Sequence, residues 1–120
     1  MENKRLCETD YRFLSVIWDN EPLTSARLVE LCAQRFGWKK STTYTMIKKL
    51  CEKGFVKSEK TVVTSLISRS AVQERESELF MRQTFNGSLP GFLAAFLGGK
   101  TISPEDAEEL KRLIDEHREA

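Results

Sequence analysis

The chain has 120 residues, 40% of them hydrophobic, with 19 Lys+Arg against 18 Asp+Glu. That length supports one proper core with room for a smaller second module. No apolar run approaches the roughly 18 residues needed to span a bilayer, and the opening M-E-N-K-R-L-C-E-T-D lacks the apolar stretch of a signal peptide. No membrane insertion is expected, and the cytoplasm is the expected compartment.

Cys7, Cys32 and Cys51 are odd in number and far apart, which argues against a disulfide framework. There is no C-x-x-C, and the single histidine, His117, stands near the end, so neither a metal site nor a cofactor is expected. Cys32 and Cys51 fall on apolar helical stripes and read as small buried hydrophobes. Cys7 leaves open a redox-sensing reading, which would need an exposed thiol of low pKa. The near-neutral balance hides a strong asymmetry. Residues 1–60 carry 12 basic and 8 acidic side chains, and residues 61–120 carry 7 and 10. Residues 35–60 alone reach +6. A local basic patch beside an acidic half suits a nucleic-acid reader joined to a module with another job.

Thr9 is placed to cap a first helix to about Asp19, with Phe13, Leu14, Ile17 and Trp18 on one stripe. Pro22 ends it. Thr24 caps a second helix to about Phe36, with Leu23 and Leu28 at the spacing of a hydrophobic staple and Leu28, Leu31, Cys32 and Phe36 facing inward. Gly37 stops that helix, Trp38 re-enters the core, and a third helix follows. Two helices separated by so short a link match a helix-turn-helix, whose second helix is the reader.

That third helix, within W-K-K-S-T-T-Y-T-M-I-K-K-L-C-E-K-G, buries Met46, Ile47, Leu50 and Cys51 on one stripe. Its other face carries Ser41, Thr42, Tyr44, Thr45, Lys48 and Lys49, with Lys39 and Lys40 at the entry. Short hydroxyls reach base edges and thymine methyls while lysines meet flanking phosphates, so this face suits a major groove. The plain competing reading is a solvated amphipathic helix. Gly54 is placed to end the helix in left-handed geometry.

Phe55–Glu59 alternates and Thr61–Ile67 is rich in β-branched residues, which predicts two short antiparallel strands with a turn near Glu59–Lys60. Lys57 and Lys60 at the hairpin tip are candidate phosphate contacts. The composition shifts at Ser68. Ser70 and Gln73 have the spacing of a capping box opening a long helix, with Leu79, Phe80 and Phe85 inside, and Asn86–Gly87 stops it. Ser88 caps a short apolar segment, L-P-G-F-L-A-A-F-L. S-P-E-D then starts a last helix with Ala107, Leu110, Leu113, Ile114 and His117 on one face.

The expected architecture is mainly α with a small β-hairpin. Residues 1–69 form a winged helix-turn-helix DNA-binding domain and residues 70–120 a helical C-terminal dimerisation domain. Leu79, Phe80, Leu89, Phe92, Leu93, Phe96, Leu97, Leu110, Leu113 and Ile114 are the candidate dimerisation residues, and among them Phe92, Leu93, Phe96 and Leu97 are too many large side chains for such short helices to cover alone. An identical copy is the expected cover, giving a homodimer; docking onto the amino-terminal domain of the same chain is the competing solution. No Ser/His/Asp, Cys/His or phosphate-cradling Gly-rich arrangement supports catalysis, and an enzyme is not expected. Besides a DNA reader, the basic face permits a protein-interaction module that docks an acidic partner.

Along nearly its whole length the chain resembles the penicillinase-repressor (BlaI/MecI/CopY) family of winged-helix transcriptional repressors. The matching features are the V-I-W run at Val16–Trp18, the P-L-T turn at Pro22–Thr24, and the Trp38 that precedes the reader helix. Thr42 and Thr45 match the T-x-x-T pattern, and Leu50–Gly54 its basic end. In the tail, Asn86–Leu89 gives N-G-S-L, followed by an F-L segment and an S-x-x-D final helix. The resemblance implies a dimeric repressor on a dyad-symmetric double-stranded operator, with Thr42 and Thr45 as base-reading threonines. Ser41 stands where a lysine is common and Lys40 where a proline is common. Thr61, Val62 and Val63 occupy a hairpin tip that often holds Gly and a basic residue. One branch of the family takes its upstream signal from a membrane sensor-protease and is cleaved at an Asn–Phe bond, where this chain has Ala95–Phe96. A copper-responsive branch has a cysteine-rich tail motif that this chain lacks.

Overall fold

A computed structural model describes residues 6–120. The described elements run α1 (Glu8–Asn20), β1 (Leu23–Thr24), α2 (Ser25–Phe36), α3 (Lys40–Glu52), β2 (Val56–Glu59), β3 (Val62–Ser65), α4 (Arg69–Phe85), α5 (Leu89–Leu97) and α6 (Pro104–Glu116). The fold is mainly helical with a small antiparallel sheet, as the periodicities predict. It divides into two compact units, one ending at Ser77 and the other starting at Glu78. The division falls inside α4, further along the chain than the change of composition near Ser68.

In the first unit, α1, α2 and α3 meet around Phe13, Leu14, Ile17, Leu28, Leu50, Val56, Val63 and Val72, all essentially without solvent exposure. Trp38 stacks on Phe13 at 5.7 Å between centroids and lies 4.8 Å from Phe36. The turn that breaks the helix-turn-helix is therefore itself anchored in the core. Gly37 takes φ 70° and Gly54 φ 85°. Both end helices in the left-handed conformation a side chain resists.

Several local expectations need correction. α1 is capped at Cys7, not Thr9; the Asp10 carboxylate reaches back to the Cys7 N–H at 3.3 Å, half of a capping box. α4 starts one residue after Ser68, whose Oγ accepts from the Ala71 N–H at 3.1 Å, so Ser68 and not Ser70 caps it. The hairpin turn is Lys60–Thr61, one residue later than expected. Both residues have positive φ, 51° and 66°, joining Glu59 to its partner Val62 in a two-residue loop. A third strand, β1, was not legible. It pairs Leu23 with Val63 and Thr24 with Val62, giving the order β1-β3-β2. Two residues carry no periodicity, so the strand shows only through its partner. The α2 cap is as expected: Thr24 Oγ1 accepts from the Arg27 N–H at 3.1 Å.

The start of α4 is fastened to α1. The Trp18 indole N–H donates to the Ile67 carbonyl at 3.0 Å, and the Arg69 guanidinium covers the Trp18 ring while pairing with Asp19 at 2.8 Å. In the second unit, Phe80, Phe85, Phe92 and Phe96 form a chain of ring contacts with centroids 5.4–6.0 Å apart. Ser88 and Ser103 cap α5 and α6 through the N–H groups of Gly91 and Asp106. Phe80, expected inside, is exposed, and His117 is the C-cap of α6 instead of a member of its apolar face.

Candidate nucleic-acid interface

α3 is divided lengthwise by its own sequence. Thr43, Met46, Ile47 and Leu50 are buried, whereas Ser41, Thr42, Tyr44, Thr45 and Lys48 are exposed, as are Lys39 and Lys40 at its start. The hydroxyl-and-ammonium face expected from the sequence is open along the helix. Two tethers fix how it is presented. Near the amino-terminal half, the Tyr44 hydroxyl donates to Ser25 Oγ at 3.3 Å, at the first residue of α2, and the Lys40 ammonium lies 5.9 Å from the Tyr44 ring. In the carboxy-terminal half, Lys49 Nζ sits 3.0 Å from Asp10 Oδ1 and Lys53 Nζ 3.0 Å from Asp10 Oδ2.

Asp10 is the residue that sequence reasoning missed. It is fully buried, and burial alone would push its carboxyl up. The Lys49 and Lys53 ammonium groups, with the Cys7 N–H, outweigh burial and leave it below the ordinary carboxylate value. An acid at the third position of a capped helix was a signal for the Cys7 bond, but only the crossing of α1 over α3 brings it to two lysines. Lys49 thus divides its role. Its ammonium is held by Asp10, which raises its own pKa, while its side chain stays 42% exposed beside the outer face.

The wing places its basic groups less uniformly. Lys57 is exposed on β2 and lies 3.6 Å from Glu59, while Lys60 is exposed at the turn. The Thr61 carbonyl accepts from the Ser25 N–H at 2.8 Å. Ser25 therefore touches both α3 and the wing turn. Lys39 and Lys48 have no carboxylate partner among the described residues.

Cys32 is buried, Cys51 half-buried and Cys7 exposed; burial pushes the Cys32 and Cys51 thiols up. In the second unit neither α5 nor α6 contains a buried residue. Leu79, Phe92, Leu93 and Leu97 are half-buried; Phe80, Leu89, Phe96, Leu110, Leu113 and Ile114 are exposed, Phe96 by 54% and Ile114 by 52%. An apolar groove of about 420 Å³ lies between α5 and α6, walled by Phe92, Phe96, Leu97, Ile102 and Leu110.

A family profile described as "Penicillinase repressor" matches residues 6–116. The chain belongs to the penicillinase-repressor family. It is 25% identical over 118 residues to the penicillinase repressor of Bacillus licheniformis, spanning 95% of this chain and 92% of that one. It is 22% identical over 121 residues to the methicillin resistance regulatory protein MecI of Staphylococcus aureus, spanning 96% and 98%. Among solved structures, the DNA-binding domain of the repressor BlaI matches with a TM-score of 0.53 at 20% identity, covering 57% of this chain and 89% of that one. The Bacillus licheniformis BlaI monomeric form in complex with the blaP half-operator matches with a TM-score of 0.50 and the same coverage. Both likenesses show the winged-helix fold. This member of the family is a transcriptional repressor by that membership.

Proposed function

We propose that the chain is a homodimeric repressor that inserts α3 of each copy into successive major grooves of a dyad-symmetric operator. The observation that carries the reading is the lengthwise division of α3, with Ser41, Thr42, Tyr44, Thr45 and Lys48 open to solvent while Thr43, Met46, Ile47 and Leu50 hold the helix in the core. Thr42 and Thr45 stand where side chains reach base edges. Lys39, Lys40 and Lys48 neutralise phosphates, and Lys60 adds a contact from the wing. Lys49 and Lys57, already beside carboxylates, contribute less. The relative solved with a half-operator supports DNA as the partner, and the uncovered apolar band of the second unit supports pairing of two copies.

Titration against operator and scrambled duplexes at several salt concentrations tests this. Four unmatched lysines per copy, doubled in the dimer, give a slope of log K against log salt of about −7. Thr45→Ala should weaken operator binding by about tenfold with little change on scrambled duplex, and Lys48→Ala should weaken both alike and flatten the slope. Equal losses on both duplexes for Thr45→Ala would remove the base-reading role. Absence of salt-sensitive retention on any duplex would favour an acidic protein partner for the same face. Cleavage by an upstream membrane sensor-protease at Ala95–Phe96 is not part of the proposal, because the asparagine of that bond is missing.

A further inference from the structure

A polar pocket of about 260 Å³ lies outside the outer face of α3, lined by Thr9 and Arg12 of α1, Arg35 and Phe36 at the end of α2, and Trp38. Its two guanidinium groups are the notable feature. Neither Arg12 nor Arg35 has a carboxylate partner among the described residues, although arginines at a helical surface readily find one. Arg12 instead lies over the Phe36 ring, 5.0 Å from its centroid, and the Phe36 and Trp38 rings meet at 4.8 Å. The site therefore combines a positive fork, a hydroxyl and aromatic walls held in place by the core contact of Trp38 with Phe13.

We infer that this pocket binds a small planar organic acid, specifically a monocyclic aromatic carboxylate. A guanidinium matches a carboxylate with two parallel hydrogen bonds, and two unmatched guanidinium groups favour an anion over a neutral ring. The volume of about 260 Å³ accommodates a single ring with its carboxylate. The aromatic walls distinguish such an acid from a bare inorganic anion, which would gain nothing from Phe36 and Trp38. The ligand titrations contain no DNA, so their outcome does not depend on the operator reading.

The full chain is titrated with benzoate, and separately with inorganic phosphate, while the indole and guanidinium N–H resonances are followed by NMR. Saturable shifts are expected at Trp38, Arg12 and Arg35, with the Trp18 indole unmoved as the internal control. Phosphate should bind at least about tenfold more weakly than benzoate. Arg35→Gln, at an exposed position at the end of α2, should weaken benzoate by about tenfold or more without changing the thermal midpoint. Arg12→Gln serves as the second variant. Linear, unsaturating shifts, equal binding of phosphate, or an unaltered affinity in Arg35→Gln would each overturn the site. So would a loss of about two units in the salt slope of duplex binding by the dimer on Arg35→Gln, which would make the arginine a phosphate contact instead.

Discussion

Asp10→Asn should destabilise the amino-terminal unit by about 3 kcal/mol. The carboxylate has no solvent exposure and two ammonium groups at 3.0 Å. Removing one side of a buried charge pair typically costs about 3–5 kcal/mol, because the remaining charge has neither partner nor water. The lower end applies here, since the Lys49 and Lys53 side chains keep 42% and 18% exposure and can recover hydration. In a unit of this size each kcal/mol moves the midpoint by about 4–8 °C, so a fall of about 12–24 °C is expected at pH 7. Thermal unfolding followed by circular dichroism reads it. The pH dependence supplies an internal check. Asp10 is held below its ordinary value of 3.8, so its contribution is fully present above that value and is lost as pH falls through the lower folded value. The gap between wild type and Asn should be flat from about pH 7 to 5 and should close below about pH 4. A gap under about 1 kcal/mol at pH 7, or one that widens on acidification, would refute the reasoning.

The other predictions concern the wing and the tail. Thr61 is a β-branched residue at φ 66°, so Thr61→Gly should stabilise by about 1 kcal/mol, raising the denaturant midpoint while leaving the bond from Ser25 to its carbonyl intact. Glu21 accepts from the Ser65 N–H at 2.7 Å and the Ser65 hydroxyl at 2.9 Å. Glu21→Ala should cost about 1–3 kcal/mol and raise amide exchange along β3; unchanged exchange at Val63 and Ser65 would dismiss the tie. Phe96→Asp combined with Leu113→Asp should halve the mass measured by sedimentation and weaken operator binding by about a hundredfold or more through loss of the second reader. A dimer surviving both changes would place the interface elsewhere.

The three helices of the winged-helix fold were legible because periodicity and caps agree there: Thr24, Gly37 and Gly54 punctuate stripes that end up buried. The hairpin was legible in kind, but its register was not, since Lys60 and Thr61 are poor left-handed residues and gave no turn signal. β1 escaped because its evidence lies in β3, forty residues on. For the site, the outer face of α3 followed from spacing alone, whereas the restraint on Lys49 and Lys53 depended on a helix crossing that no local pattern encodes. The arginine pocket escaped for the same reason. Arg12 and Arg35 are ordinary surface charges in the sequence and become neighbours only through the packing of α1 against the end of α2.

The two units satisfy their apolar surface by different means, and this bears on how repression by a dimer would be built. In the first unit the sheet, three helices and Trp38 close on one another, and even its buried acid is matched by two bases. That unit needs no partner to hold α3 at a fixed angle, since Ser25 anchors one half of the helix and Asp10 the other. In the second unit α5 and α6 bury no residue, although α5 is almost wholly apolar. Exposed aromatic and aliphatic side chains in that number are unfavourable in water. A second copy carries the same band, so a two-fold arrangement can cover both at once without requiring any other protein. In the proposed dimer, intramolecular contacts would set α3 and intermolecular ones the spacing between the two copies of it. A lesion such as Asp10→Asn should therefore act on each copy's stability, and one such as Phe96→Asp on the pairing of otherwise intact readers.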